Sequence, residues 1–148
     1  MNINGYEILG DFSAENAGCS VWAYCRKDGH DFFIKKFTSV TYPVSNKLSP
    51  AILEKKRKKC DKFYKEKKEF YNHLSQCHTG NIINICDFFR YESSYYVITE
   101  REMRPFLDVK TVSELDSDRK LTLIKAVLNS FVTLSDKGVV HSDVKPAN

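Results

Sequence analysis

Short apolar segments bounded by turn-forming residues fill the first third of the chain, a pattern typical of β-strands. Residues 6–12, 20–25 and 31–37 form three such segments. The last two flank a polar stretch whose Asp28-Gly29 step favours a two-residue hairpin turn. We therefore predict consecutive strands, the second and third joined as a hairpin.

Alternation within the third segment separates two neighbouring lysines. Side chains of a strand point alternately to its two faces. Phe33 and Lys35 therefore share one face, and Phe32, Ile34 and Lys36 share the other. We expect Lys35 to point with an aromatic residue toward a covered surface.

A long helix is predicted after the loop 38–49. Ser49 can cap it and Pro50 suits its first position. The helix should run to about Gln76, with an apolar stripe formed by Cys60, Phe63, Tyr64, Phe70, Tyr71 and Leu74.

In the second half of the chain, the sequence pattern predicts strands at 82–90 and 95–100. An irregular stretch with one short helix follows at 101–115. Ser117 should cap an amphipathic helix that Gly138 terminates. The apolar stripe of that helix consists of Leu121, Ile124, Leu128 and Phe131.

Composition indicates a soluble globular protein, with 148 residues, 42% of them hydrophobic and 28% charged. No apolar run is long enough to cross a membrane, and no secretory signal is visible. The five cysteines are odd in number and form no CxxC pair, which favours reduced thiols and a cytoplasmic location. Cys77-His78 has no partner pair at the spacing of a zinc site.

The net charge of +4 arises from one segment. Residues 54–69 contain nine Lys/Arg and four Asp/Glu, so the rest of the chain is slightly acidic. We predict a solvent-facing helix surface. Nucleic-acid binding is the minor alternative, because no aromatic stacking platform accompanies the lysines.

The last eight residues, His141 to Asn148, read HSDVKPAN and follow a helix and a short extended piece. This stretch resembles the H-R-D-x-K-x-x-N catalytic loop of the protein kinase superfamily, and the order of the preceding elements resembles that of the same family. The lysine at position 145 resembles the residue that the serine/threonine branch of this family has there. The resemblance implies an α+β fold: a five-stranded antiparallel N-lobe with its αC helix, then the start of a helical C-lobe.

The resemblance also implies roles in phosphoryl transfer from ATP to protein Ser/Thr hydroxyls. Asp143 would orient and deprotonate the hydroxyl, Lys145 would place a positive charge beside the transferring phosphate, and Asn148 would bind Mg²⁺. Lys35 resembles the lysine of the V-A-I-K strand, which binds the α- and β-phosphates. Phe33 departs from the small alanine of that motif and implies a differently shaped purine slot.

The partner of Lys35 should be a glutamate of the basic helix. Counting back from His78 favours Glu69, and Glu66 is the alternative. A different interpretation is that both glutamates pair only with nearby lysines on the solvent-facing surface of the helix. Tyr95 to Glu100 resembles the strand that enters the hinge. Thr99 then takes the gatekeeper position, and Glu100 to Glu102 would present backbone groups to adenine.

The phosphate-binding loop departs most from the family pattern G-x-G-x-x-G-x-V. With Val21 as the terminal valine, Ala14, Asn16 and Cys19 occupy the glycine positions, with Gly18 nearby. Side-chain contacts from Ser13, Asn16 or Ser20 are the proposed substitute.

The resemblance covers the first half of a kinase domain: an N-lobe at 1–103 and an incomplete C-lobe at 104–148, without the D-F-G aspartate. We expect the fragment itself to be inactive and to self-associate through the exposed stripe of helix 117–137. Two other functions stay open: a nucleotide-binding pseudokinase or scaffold half, and a small-molecule phosphotransferase. Lys145 argues against a small-molecule phosphotransferase, because those enzymes usually lack that lysine.

Overall fold

The computed structural model describes residues 1–15, 17–44, 48–76, 82–101 and 109–140. The chain consists of two compact units. One comprises Met1–Ser75 with Asn84–Arg101, and the other comprises Gln76–Ile83 with Glu102–Asn148. The first unit contains the sheet and the long helix, and it carries the described part of the candidate site.

The first unit is built on a six-stranded antiparallel sheet with the order β1-β2-β3-β4-β6-β5. The strands are β1 (Asn2–Ile3), β2 (Tyr6–Ser13), β3 (Ser20–Lys27), β4 (His30–Phe37), β5 (Ile85–Tyr91) and β6 (Ser94–Glu100). The predicted strands are all present, and the short β1 is an addition. Asp28 and Gly29 both have positive φ (51° and 79°), as the predicted hairpin turn between β3 and β4 requires.

Each face of this sheet is covered by its own apolar cluster. On one face lie Ile8, Ala23, Cys25, Ile34 and Ile98 among others, and Cys25, Ile34 and Ile98 are fully buried. The opposite face is covered by α1 (Pro50–Ser75), through a cluster that contains Cys60 of the helix and Phe88, Tyr95 and Val97 of the sheet.

The helix α1 begins at Pro50, as predicted, and the Ser49 carbonyl accepts the hydrogen bond of Leu53 N–H at 3.0 Å. Aromatic rings join the helix to the sheet. Phe63 contacts Phe37 and Tyr95, with ring centroids 5.6 and 5.2 Å apart. Tyr71 contacts Phe88 at 5.1 Å. The predicted apolar stripe therefore faces the sheet along most of its length, although Phe70 is exposed.

The second unit contains α2 (Val109–Glu114) and α3 (Ser117–Asp136). The N-cap of α3 is Asp116 rather than the predicted Ser117, because the Asp116 carboxylate accepts from Arg119 N–H at 2.8 Å. Gly138 has a φ of 69° and follows the helix, as expected for its C-terminal end. None of the helices in the described ranges has the length and apolar character needed to cross a membrane.

An apolar stripe of α3 is exposed. Exposed fractions are 50% for Leu121, 54% for Ile124 and 56% for Leu128, whereas Phe131 is half-buried. Val127 and Val132 extend the exposed surface. The helix therefore displays the uncovered stripe that its sequence predicts, and self-association through it stays a prediction.

Candidate functional site

Lys35 lies on the sheet face that α1 covers. In the β-ladder it stands opposite Trp22 of β3 and Val97 of β6. Val97 belongs to the cluster beneath α1, and directly opposed residues share a face. Lys36 stands opposite Val21 and Tyr96, and Tyr96 belongs to the other cluster. The two lysines therefore lie on opposite faces, as the alternation predicts.

Thr99 shares the face of Lys35. It stands opposite Phe33, two residues before Lys35, and is 8% exposed. Its hydroxyl donates to the Glu100 carbonyl at 3.2 Å. Glu100 is fixed further by Asn84, whose side-chain amide donates to the Glu100 carboxylate at 2.9 Å and whose carbonyl accepts from Glu100 N–H at 3.1 Å.

The loop between β2 and β3 is tied to this same face by a tryptophan. The indole N–H of Trp22 donates to the Glu15 carbonyl at 2.8 Å. Within the loop, Glu15 N–H donates to the Ser13 hydroxyl at 3.1 Å, and the Ser20 hydroxyl donates to the Ala17 carbonyl. Gly18 has a φ of 58°, where a residue with a side chain would be strained.

The strand register corrects the prediction for Val21. Val21 stands opposite Lys36 and lies on the far face, away from Lys35. Ser20, Trp22, Tyr24 and Arg26 are the β3 residues on the Lys35 face. Moving the G-x-G-x-x-G-x-V pattern back by one residue puts Ser20 at the valine position and Gly18 at the third glycine position.

The rotation of α1 corrects the prediction for Glu69. Residues of an α-helix are separated by about 100° of rotation, so Glu69, nine residues after the buried Cys60, lies on the opposite side of the helix. Glu69 is exposed. The alternative, Glu66, is also exposed and pairs with Lys62 at 3.7 Å. Neither glutamate is brought to Lys35.

Three aromatic residues neighbour Lys35 in the β-ladder on this face. Trp22 stacks on Phe33 with centroids 5.3 Å apart and planes inclined by 24°. Tyr24 meets both rings edge-on, at 5.7 Å from Trp22 and 6.2 Å from Phe33. We call Trp22, Tyr24 and Phe33 the aromatic platform. The sequence interpretation noted Phe33 but missed Trp22 and Tyr24; the two-residue turn at Asp28-Gly29 fixes the pairing that brings them there.

A charged network borders the platform. The Arg101 guanidinium lies over the Tyr24 ring, 4.2 Å from its centroid, and binds the Asp31 carboxylate at 3.1 Å. Arg26 binds the other oxygen of Asp31 at 2.7 Å. The hydrogen bond from Arg26 lowers the pKa of the Asp31 carboxyl, so the network stays ionised at neutral pH.

Five predicted site residues lie outside the described residues: Asn16, Glu102, Asp143, Lys145 and Asn148. Their roles stay predictions from the resemblance. Among the described residues there is no group of three or more His, Cys, Asp or Glu side chains that could hold a metal ion.

No protein family and no curated protein matches the sequence. Solved structures, however, share its fold. A mutant form of the PknI kinase domain of Mycobacterium tuberculosis is 16% identical with a TM-score of 0.63, covering 100% of this chain and 55% of that domain. The unmutated PknI kinase domain is 15% identical, with a TM-score of 0.59. Rad53 in complex with AMP-PNP is 15% identical, with a TM-score of 0.65. That match covers 97% of this chain and 34% of the Rad53 chain.

These comparisons define the fold of the chain as the N-lobe and the start of the C-lobe of a protein kinase domain. The chain spans about half the length of the PknI structures and a third of the Rad53 structure. The predicted α+β kinase-like fold is thereby confirmed.

Proposed function

We propose that this chain is the nucleotide-binding half of a protein kinase that transfers phosphate from ATP to Ser/Thr hydroxyls of proteins. The observation that carries the proposal is the position of Lys35. It lies on the α1-covered face together with Thr99, and the loop 13–20 is tied to that face by Trp22. A cation, a strand leading into the hinge and a glycine-containing loop are the parts that such a site needs.

The described residues can bind and orient a triphosphate. Lys35 has no ion pair within the described part of the chain, so its ammonium group is free to bind phosphate oxygens there. Gly18 gives the loop the conformation in which backbone N–H groups can turn toward an anion. Mg²⁺, bound by Asn148 as the resemblance implies, would neutralise the phosphate charge. Asp143 and Lys145 would act on the hydroxyl and on the transferring phosphate.

A second function, nucleotide binding without catalysis, is favoured by the geometry of α1. An active kinase site needs an ion pair between the strand lysine and a glutamate of this helix. All four acidic residues of α1 are exposed: Glu54, Asp61, Glu66 and Glu69. With Glu66 and Glu69 both exposed and Glu66 paired with Lys62, Lys35 would bind phosphates without that partner, as a pseudokinase or scaffold would require.

Calorimetric titration with ATP and Mg²⁺ tests the proposal, using Lys35→Met and its neighbour Lys36→Met as a matched pair. A charge-assisted contact contributes about 1.5–3 kcal/mol, so Lys35→Met should weaken ATP binding about 10- to 100-fold. Lys36→Met removes the same charge from the other face and should leave the affinity unchanged. Equal effects of the two substitutions, or no binding by the unmodified chain, would refute the proposal.

A phosphotransfer assay distinguishes the active kinase from the pseudokinase. In the protein kinase to which this half-domain would belong, incorporation of phosphate from ATP that is abolished by Asp143→Asn indicates a catalyst. ATP binding that depends on Lys35, without any incorporation of phosphate, indicates the pseudokinase.

A further inference from the structure

We propose that the aromatic platform binds the nucleotide base by stacking, and that the site therefore accepts guanine as well as adenine. This inference rests on the proposed nucleotide-binding function and specifies which nucleotides the site takes. It concerns Trp22, Tyr24 and Phe33, together with the backbone of Glu100.

The platform lies where a base would be held if Lys35 binds the phosphates. Trp22 is directly opposite Lys35, and Phe33 is two residues away on the same face of β4. Neighbouring strands are about 4.8 Å apart, and residues i and i+2 of a strand are about 6.6 Å apart. These spacings are of the size that separates the phosphates of a nucleotide from its base.

The rings have surface available for a ligand. Trp22 and Phe33 are half-buried, and Tyr24 is 38% exposed. Because the stack uses one side of Trp22 and one side of Phe33, a flat base can extend it from the exposed part of either ring. The Nε1 bond to Glu15 and the Arg101 contact with Tyr24 hold two of the rings in place.

Backbone groups at Glu100 that could distinguish one base from another already make hydrogen bonds within the protein. Its N–H donates to the Asn84 carbonyl, and its carbonyl accepts from the Thr99 hydroxyl. At this described position next to the platform, the N–H is engaged, and the carbonyl keeps only one further lone pair, which an N–H group of either adenine or guanine could use. Stacking, in contrast, tolerates any base because every base has a π-face. Binding dominated by stacking therefore discriminates little between purines.

The single tryptophan of the chain provides the measurement. Trp22 fluorescence is followed while ATP, GTP or inorganic triphosphate is added, each with Mg²⁺. We expect ATP and GTP to quench the emission with dissociation constants within about threefold of each other, and triphosphate to bind without comparable quenching.

Phe33→Leu and Phe32→Leu form the matched variants, because these neighbours lie on opposite faces of β4. Phe33→Leu should weaken ATP and GTP equally, by about tenfold, while triphosphate affinity is unchanged. Phe32→Leu should change none of the three. Retained triphosphate binding shows that a weakened variant is still folded.

Two results would overturn the inference while leaving the proposed function intact: ATP binding more than tenfold tighter than GTP binding, or ATP affinity unaffected by Phe33→Leu. If neither nucleotide nor triphosphate binds, the proposed function and this inference both fail.

Discussion

The hydroxyl of Tyr95 donates a hydrogen bond to the backbone carbonyl of Cys60 at 3.3 Å, directly joining the sheet to α1. Tyr95 is completely buried, and its ring also contacts Phe63, Tyr64 and Phe88. The side chain thus fixes the position of the helix that covers the Lys35 face.

Removing this hydroxyl should destabilise the first unit while leaving its ring packing intact. We expect Tyr95→Phe to lower the free energy of unfolding by about 0.5–1.5 kcal/mol, the usual net contribution of one hydrogen bond. Urea denaturation measures the change. Tyr24→Phe is the control, since Tyr24 is partly exposed and keeps its ring contacts. Equal stability of Tyr95→Phe and the unmodified protein would show that the bond contributes nothing.

Glu69 should be dispensable for nucleotide binding. It lies on the side of α1 that points away from the sheet, so Glu69→Gln removes a charge without touching the Lys35 face. We expect the ATP dissociation constant to change less than twofold in calorimetry. A loss of tenfold or more would mean that α1 rotates when ATP binds and brings Glu69 to Lys35.

Stability should fall as the pH rises through the alkaline range. Burial raises the pKa of the Cys25 thiol to about 11 and that of the Tyr6 hydroxyl to about 12. In the unfolded chain these groups ionise near pH 8.5 and 10, so the unfolded state releases protons first. Their contribution to stability is complete below those values and is lost as the pH rises toward 11 and 12.

Urea midpoints measured from pH 8 to pH 11 test this expectation. Cys25→Ala should make the decline between pH 9 and 11 shallower, although the overall stability is lower because a cavity is created. Cys19→Ala, at an exposed position, should leave the slope unchanged. A midpoint independent of pH up to 11 would contradict the assignment.

The exposed stripe of α3 should cause self-association. Ile124 and Leu128 are more than half exposed, and burying a side chain of this kind contributes roughly 1.5–3 kcal/mol. We expect sedimentation velocity to show oligomers that dissociate when both residues are replaced by Lys. The control places Lys at Thr122 and Asn129, on another side of the same helix. A monomeric unmodified chain at all concentrations would rule this surface out.

Much of the fold could be predicted because it depends on local patterns. The Asp28-Gly29 turn, the alternation around Lys35 and the start of α1 at Pro50 are each determined by a few neighbouring residues. The cap of α3 was misplaced by one residue because Asp116 and Ser117 are both good capping residues, and only the structure shows which carboxylate or hydroxyl accepts the bond.

Parts of the site could not be predicted because they depend on relations between elements. Strand side chains alternate with a period of two, so misplacing the glycine pattern by one residue moved Val21 to the wrong face. Counting residues along the chain does not fix the rotation of a helix, so spacing alone selects Glu69 although it lies on the exposed side of α1. Trp22 was missed because its relation to Lys35 arises from pairing between two strands.

The turn at Asp28-Gly29 determines which of the two adjacent lysines the α1-covered face receives. It sits about 20 Å along β4 from Lys35, yet a one-residue slip in the pairing it sets would put Lys36 or Ile34 opposite Trp22 in place of Lys35. In this sheet, insertions and deletions in a remote hairpin loop are therefore mutations of the α1-covered face, although they replace none of the residues that form it.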